Sequence, residues 1–156
     1  GALMDVGCYC VSGSRLLAGE PVRVWGEAWY GPSGTDWVFT GTMRFPGEAI
    51  ATFDCGTAMV ERDELEAIGS GGALFLDDPW HCTNPAIELR RGDGVERIEL
   101  EHSDSYRLEL ENLSDAIRGE GELLLGREDA LGQARTLEAL HKSATTSSPA
   151  VLHSAR

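Results

Sequence analysis

The start of the chain has the hydrophobic spacing of an amphipathic helix. Small or apolar side chains recur at intervals of three or four residues, which places them on one helix face that packs against a core. The pattern predicts a helix over residues 4–18. It ends at Gly19 and Pro21, because glycine favours the left-handed helix cap and proline cannot continue the helix. The residues of the stripe are Leu3, Gly7, Val11 and Ser14.

From residue 21 the pattern changes to an alternation of apolar and polar side chains, which is typical of β-strands with one buried face. Glycine- or proline-containing turns separate the segments, and Gly92-Asp93-Gly94 is a strong hairpin signal. We therefore predict a largely antiparallel meander of about seven strands. The predicted strands cover residues 21–30, 36–45, 48–55, 62–68, 73–76, 87–91 and 95–100.

Two amphipathic helices close the chain. Apolar side chains return at helical spacing between residues 106 and 117 and again between residues 130 and 144. Residues 146–156 are rich in serine and threonine and show no periodicity, so we predict a flexible tail there. The expected fold is α+β: a large, mostly antiparallel open β-sheet, with the N-terminal helix and the two C-terminal helices packed on one face, in a domain of residues 1–145.

Several predicted strands have apolar side chains on both faces. Trp25 and Trp29 lie on the face opposite Val24, whereas a sheet covered by helices on one face normally shows polar residues on the other. Terminal helices or a second subunit would cover the extra apolar face, and we favour a second subunit. We expect a homo-oligomer, most simply a homodimer, whose interface buries Trp25, Trp29 and Trp37.

The charge of the chain limits its partners. The sequence has 26 acidic and 13 basic residues and a formal net charge of −13, so nucleic acid and anionic membrane surfaces are repelled. No stretch approaches the roughly 20 apolar residues of a membrane span, and the first residues lack the basic and apolar regions of a secretory signal. We expect a cytoplasmic protein whose four cysteines are reduced thiols.

Three groups of residues suggest chemistry but are better explained structurally. Cys8, Cys10 and Cys82 lack the spacing of a zinc site, so we expect no metal and interpret the cysteines as small packing side chains. The glycine-rich segment at residues 69–72 precedes a strand rather than the helix that a phosphate-binding loop requires, which favours a hairpin turn. The neighbouring carboxylates at residues 77–78 point apart in a strand and are typical of a turn.

The first helix offers a more specific pair. Asp5 and Tyr9 are four residues apart, so they share one helix face about one turn from each other. Gly7 lies between them, and its missing side chain permits close approach of another backbone or of a flat ligand. The spacing alone leaves two interpretations open, a tyrosine that packs in the core and a catalytic tyrosine.

An ordered series of motifs resembles the C-terminal domain of the glucose-fructose oxidoreductase/inositol dehydrogenase (Gfo/Idh/MocA) family. Residues 1–9, Gly-Ala-Leu-Met-Asp-Val-Gly-Cys-Tyr, are similar to the family's glycine-rich run followed by Asp-x-Gly-x-(His or Tyr). The resemblance covers about residues 1–145. The further similar segments are residues 41–47, 51–55, 65–74, 77–79, 106–112 and 126–135.

The resemblance implies roles for three residues. Tyr9 takes the position of the family's acid/base His or Tyr, and would exchange the proton of the substrate hydroxyl during reversible hydride transfer with a nicotinamide. Asp5 matches the motif aspartate, which orients the substrate or the acid/base residue. Ser12 takes a position that is often Asp or Asn, and we assign it to substrate binding. The tyrosine favours the branch of glucose-fructose oxidoreductases and of dihydrodiol or xylose dehydrogenases.

The resemblance also implies a second domain. In the family, NAD or NADP is bound by an N-terminal Rossmann domain, whose strand–glycine–helix fingerprint is absent from these 156 residues. We therefore expect the substrate-binding and oligomerisation domain of an NAD(P)-dependent oxidoreductase that acts on a sugar, polyol or diol hydroxyl, without a cofactor site of its own and inactive alone. The alternative is a stand-alone dimerisation or ligand-binding module that has this fold without the chemistry.

Overall fold

The computed structural model describes residues 1–152, which form a π-helical turn, three α-helices and eight strands. The helical elements are the π turn Leu3–Gly7, α1 Cys8–Ala18, α2 Ser105–Arg118 and α3 Arg127–Thr146. The strands are β1 Arg23–Tyr30, β2 Asp36–Arg44, β3 Ile50–Gly56, β4 Glu64–Gly69, β5 Gly72–Asp77, β6 Ala86–Arg91, β7 Gly94–Glu99 and β8 Ala150–Val151. In this part of the chain, no helix has the length and apolar character needed to cross a bilayer.

The α+β class and the antiparallel pairing are confirmed, but the strands form two sheets rather than one. The sheets have the orders β3-β2-β1-β8 and β4-β5-β6-β7. The described chain also divides into two compact units, one made of Gly1–Val60 and residues 125–152, the other of Glu61–Leu124. Alternating hydrophobicity predicts that a segment is a strand and which face it buries, but it does not name the neighbouring strand.

The core of the first unit lies between its sheet and the two helices α1 and α3. The β1–β2 register pairs Val24 with Met43 and Ala28 with Phe39, so these side chains share the face toward the helices. Burying an apolar side chain of this size stabilises the fold by about 1.5–3 kcal/mol. The largest fully buried apolar side chains are Phe39, Phe45, Leu3, Met43, Leu140, Val11 and Val24.

A buried hydrogen bond fixes α3 against the edge of β1. Strand β8 pairs with β1 only at Arg23 and Val24, so it offers no acceptor to the Gly26 N–H. The Gly26 N–H donates instead to the Ser143 hydroxyl at 3.0 Å, and Ser143 is fully buried. A helix side chain thus satisfies a strand donor that the sheet leaves unpaired.

The segment predicted as a flexible tail from residue 146 is ordered as far as residue 152. Helix α3 ends at Thr146, and Ala150–Val151 forms β8 against β1. The Leu152 N–H then donates to the Val22 carbonyl at 2.9 Å. A two-residue strand is too short to show an alternating pattern. The pairing with β1, rather than the sequence of the segment itself, therefore determines that β8 is a strand. The remaining predicted tail residues, 153–156, lie outside the described part of the chain.

The second unit combines the four-stranded sheet β4–β7 with α2. On one sheet face, Arg90 lies over the Phe75 ring at 4.6 Å and forms ion pairs with Glu66 at 3.2 Å and Glu88 at 2.9 Å. Helix α2 begins at the capping carboxylate of Asp104, which accepts hydrogen bonds from two N–H groups of the first turn. Both features are typical of a solvated surface.

Candidate functional site

The segment that carries Asp5 is a π-helical turn, a rare helical form that is frequent at functional sites. The Leu3 N–H donates to the Asp36 Oδ2 at 2.8 Å, which attaches the turn to the first residue of β2. The Met4 and Asp5 N–H groups both donate to the Gly1 carbonyl, at 3.1 and 3.0 Å. These contacts orient the first helical turn relative to the sheet.

The structure places the predicted pair on the accessible side of this helix. Asp5 is exposed and Tyr9 is 46% exposed, so the phenol is not a core side chain. Ser12, one turn further along α1, is half-buried. Asp5 and Tyr9 thus belong to one exposed stretch of helix, where both reach solvent.

Gly7 allows a close approach, but of the neighbouring strand rather than of a ligand. Gly7 is buried, and a Cβ atom added there would lie 2.7 Å from the Cys55 Sγ. Any larger residue would therefore push the helix away from β3. Of the two neighbours expected at Gly7, another part of the chain or a flat ligand, the structure places β3 there, because this residue faces the core while Asp5 and Tyr9 are exposed.

A buried arginine network attaches α1, the helix that carries Tyr9, to α3. Arg15 is 5% exposed, and its guanidinium pairs with Glu20 and with Asp129 of α3, the latter at 2.9 Å. Although burial alone would lower the pKa of Arg15, the hydrogen bond and charge of Glu20 and then those of Asp129 raise it. Gln133 accepts from Arg15 at 3.1 Å and donates to the Cys8 carbonyl at 2.7 Å. The peptide that precedes Tyr9 is therefore held by α3.

The thiols near this helix are not suited to nucleophilic chemistry. Burial, and then the nearby Cys10, raise the pKa of the Cys55 thiol to about 12. Burial is also the main cause that raises the pKa of Cys8. Because the thiolate is the reactive form, both groups stay protonated at neutral pH and act as packing side chains.

A cleft of about 530 Å³ opens at the π turn and the adjoining β1–β2 turn. Asp5 contributes to its wall, whereas the described residues that line it do not include Tyr9 or Ser12. The structure therefore brings one of the three predicted site residues into a cleft and leaves the other two beside it on the helix. The lining residues include Asp5, Ser33, Thr35, Asp36, Trp37 and Thr57.

The glycine-rich segment at residues 69–72 does not fit the pyrophosphate of a dinucleotide. Gly69 and Gly72 pair with each other across the β4–β5 hairpin, so the glycine-rich segment is a tight turn between two strands, as predicted. A phosphate-binding loop needs a helix after the glycines, whose N-terminal N–H groups bind the anion. Nothing at this turn supplies those donors.

One cluster outside the cleft has the composition of a metal site. Asp63, Asp78 and His81 each offer a ligand atom, and these atoms lie within 4.8 Å of one another. The Asp78 carboxylate, however, accepts hydrogen bonds from the His81 and Thr83 N–H groups at 3.0 and 2.9 Å. These bonds complete a turn, which agrees with the structural interpretation of the carboxylates at residues 77–78.

Comparison with known proteins identifies the fold. The family described as GFO/IDH/MocA C-terminal domain matches residues 1–75. An uncharacterised oxidoreductase of Rhizobium meliloti is 31% identical over 154 residues, which are 92% of this chain and 46% of the relative. The D-xylose 1-dehydrogenase (NADP(+)) 2 of Haloferax volcanii is 29% identical over 150 residues, 94% of this chain and 46% of that protein.

A solved structure agrees with these relatives. The aldose-aldose oxidoreductase of Caulobacter crescentus, complexed with glycerol, has a TM-score of 0.87 at 24% identity, over 97% of this chain and 48% of that one. The α+β fold is thus that of a C-terminal oxidoreductase domain. The chain is similar to the C-terminal domain of Gfo/Idh/MocA oxidoreductases, by the family match over residues 1–75 and by relatives that align with nearly its whole length. It spans about half the length of the curated relatives that it matches.

Proposed function

We propose that this chain is the substrate-binding and oligomerisation domain of an NAD(P)-dependent oxidoreductase that acts on a hydroxyl of a sugar, polyol or diol. The observation that carries the proposal is the exposed helical turn on which Asp5 and Tyr9 stand, with Asp5 in the wall of a cleft. The xylose dehydrogenase and the aldose-aldose oxidoreductase among the relatives support this substrate class.

In this proposal Tyr9 is the acid/base residue. Its phenol is accessible and exchanges the proton of the substrate hydroxyl, while the Asp5 carboxylate accepts a hydrogen bond that orients either the substrate or the phenol. Ser12 adds a hydroxyl one turn away on the same helix and contributes to substrate binding. The hydrogen bond from Gln133 to the Cys8 carbonyl supports this assignment, since it limits rotation of the helix next to the phenol.

The cofactor is assigned to another domain. The hairpin geometry of the glycine-rich turn argues against a dinucleotide site in this chain. The share of each relative that the chain matches, 46% in both curated cases, leaves room for such a domain. We therefore expect that these 156 residues alone do not turn over substrate with NAD or NADP.

The decisive experiment replaces Tyr9 by Phe in the two-domain enzyme. Removing the hydroxyl abolishes proton exchange, so we expect turnover to fall on the order of a hundredfold or more while the fold is preserved. Steady-state kinetics with NAD and NADP and a panel of aldoses, polyols and diols measure the effect. The matched control is Tyr106→Phe, since Tyr106 is 68% exposed on α2 and should leave turnover unchanged. Near-normal rates for Tyr9→Phe would remove Tyr9 from the mechanism.

A further inference from the structure

The residues of the proposed site lie on the two sides of a junction between helical forms. Asp5 belongs to the π-helical turn Leu3–Gly7, and Tyr9 belongs to α1, which begins at Cys8. In an α-helix, side chains four residues apart lie one above the other. A π turn is wider, because its hydrogen bonds join residues five apart. The angle between the Asp5 and Tyr9 side chains therefore depends on the residue at which the π turn ends.

The inner side of the junction is fixed by packing. Gly7, the last residue of the π turn, lies close to the Cys55 Sγ of β3. Leu3 and Val11, four residues before and after it, are fully buried. Apolar packing is non-directional, so it holds the helix against the sheet but opposes a small rotation about the helix axis only weakly. A directional contact is needed to fix that rotation.

Gln133 of α3 supplies a directional contact at this point. Its Nε2 donates to the Cys8 carbonyl at 2.7 Å, and Cys8 is the first residue after the π turn. The same planar peptide unit includes the nitrogen of Tyr9. The hydrogen bond therefore fixes the backbone plane from which the Tyr9 side chain extends.

The carboxamide of Gln133 is itself held in one orientation. Its Oε1 accepts from the Arg15 Nη1 at 3.1 Å, and the same nitrogen pairs with Asp129 at 2.9 Å. Glu20 accepts from the Arg15 Nε at 3.2 Å. A guanidinium only donates and a carbonyl only accepts. Only one orientation of the carboxamide therefore satisfies Arg15 and Cys8 together.

From these contacts we infer that Gln133 is a positioning residue for the proposed acid/base pair, because it fixes the end of the π turn and with it the orientation of Tyr9 relative to Asp5. The phenol oxygen lies well outside the backbone radius of about 2.3 Å, so a small rotation of the helix becomes a larger displacement of that oxygen. A displacement of about 1 Å can cost on the order of a hundredfold in rate. This inference rests on the proposed function and adds to it the residue that orients the site.

Two substitutions of Gln133 in the two-domain enzyme test the inference by steady-state kinetics. Gln133→Met keeps an unbranched side chain of similar length but forms neither hydrogen bond. Gln133→Glu keeps an acceptor for Arg15 and removes only the donor to Cys8. We expect both to lower kcat at least tenfold and to change KM less than threefold, because the substrate is bound by other residues. Glu138→Met introduces the same residue at an exposed position of α3 and should leave kcat unchanged.

A Tyr9→Phe background separates positioning from a general effect on the fold. If Gln133 acts through the Tyr9 hydroxyl, Gln133→Met should lower kcat less than twofold once that hydroxyl is absent, so the two substitutions are not additive. Loosening of the fold would instead lower kcat by the same factor in both backgrounds. Equal factors in the two backgrounds would overturn the inference.

A spectroscopic measurement follows the hydrogen bond itself. Tyr9 is the only tyrosine of the chain that a cysteine precedes, so carbonyl-¹³C cysteine and ¹⁵N tyrosine together label its peptide bond selectively. Tyr9→Phe removes the ¹⁵N label and thereby identifies the signal. Because a carbonyl that loses a hydrogen bond shifts upfield in its ¹³C signal, we expect this shift in both Gln133 variants and not in Glu138→Met. An unchanged signal in the Gln133 variants would overturn the inference.

The outcomes distinguish this inference from the proposed function. Normal turnover of Tyr9→Phe would reject the acid/base proposal, and the positioning role with it. Reduced turnover of Tyr9→Phe together with normal turnover of the Gln133 variants would leave the acid/base role standing and overturn the positioning role alone. If Gln133→Met does not fold, Gln133→Glu decides by the same three measurements.

Discussion

At the scale of single residues, Asp78 shows how one carboxylate organises a turn. Its backbone has a positive φ of 55°, a conformation that aspartate tolerates better than most residues. The hydroxyl of Thr83 and the N–H groups of His81 and Thr83 all donate to its carboxylate. The Thr83 hydroxyl is the largest cause that lowers the pKa of Asp78, from its ordinary 3.8 to about 2.

This shift predicts an acid-dependent stability. Because the pKa of Asp78 is lower in the folded chain than its ordinary value, ionised Asp78 stabilises the fold above about pH 4, and this contribution disappears as the pH falls toward 2. We expect Asp78→Ala to be modestly less stable than the wild type at pH 7, with a difference that shrinks below pH 4. Urea unfolding across this pH range measures it.

Asp93→Ala is the control for the pH experiment, since it removes one carboxylate from the exposed β6–β7 hairpin. It should give no comparable difference at any pH. If Asp78→Ala and the wild type showed the same pH dependence of stability, the hydrogen bonds to the Asp78 carboxylate would not be the cause of that dependence.

Residues of the site differ in how far the sequence reveals them. Asp5 and Tyr9 were predicted from their spacing and motif, because both lie in one short stretch of helix. Asp36 and Gln133 were missed, because their partners are far away in the chain: Asp36 accepts from Leu3, and Gln133 donates to Cys8. Only the fold brings these groups together.

At the scale of elements, α3 connects helix α1 to the sheet of the first unit. Gln133, in its first half, holds the Cys8 carbonyl of α1, and Ser143, in its second half, accepts from Gly26 of β1. Leu140 lies between them in the core and is fully buried. The helix therefore sets the distance between α1 and the sheet, and with it the position of the turn that carries Asp5.

Ser143→Ala tests this connection. The substitution leaves the Gly26 N–H buried without its acceptor, so we expect a loss of about 1–3 kcal/mol in the free energy of unfolding. Chemical denaturation measures the loss. Ser114→Ala is the control, because the Ser114 hydroxyl bonds only within its own helix, to the Leu110 carbonyl, and should change stability by less than about 0.5 kcal/mol. Equal stability of the two variants would contradict the proposed role of Ser143.

Elements with a long pattern were predicted well, and short ones were not. The seven predicted strands correspond to β1–β7, with ends that differ by at most two residues. Strand β8 was missed, since its pairing is imposed by β1. The π turn was predicted as ordinary helix, because the spacing of its apolar residues does not distinguish the two helical forms.

At the scale of the whole molecule, the outer face of the first sheet exposes several large apolar side chains among charged residues and threonines. Trp25 is 40%, Trp29 60% and Ile50 59% exposed. A cluster of large apolar side chains of this kind marks an interaction surface in soluble proteins. It supports the proposal that a second copy of the chain covers this face, whereas Trp37, also expected there, lines the cleft.

Light scattering tests the assembly. At high micromolar concentration we expect twice the mass of one chain. Trp25→Glu and Ile50→Glu should weaken the association roughly a hundredfold or more, because burying an unpaired carboxylate costs several kcal/mol. Leu16→Glu is the control, since Leu16 is 78% exposed on α1 and should not affect the mass. A monomeric wild-type chain would rule out this interface.

The overall class was predictable from pattern and resemblance together. Alternation and helical spacing gave an antiparallel α+β fold, and the ordered motifs gave the family. The division into two sheets was not predictable. Strands β3 and β4 follow each other in the chain but are edge strands of different sheets, and the alternating pattern does not reveal this. The same holds for the cleft, whose walls come from segments about thirty residues apart.

The edge-on contact between Trp29 and Trp37 joins two different surfaces of the first unit. Trp29 belongs to the exposed sheet face and Trp37 to the cleft, so a neighbour that reoriented the first ring would also change the wall of the cleft. If a second copy of the chain and a ligand both altered this contact, each would change the affinity of the other by the same factor. This edge-on pair of indoles therefore connects the surface proposed for self-association with the cleft beside Asp5.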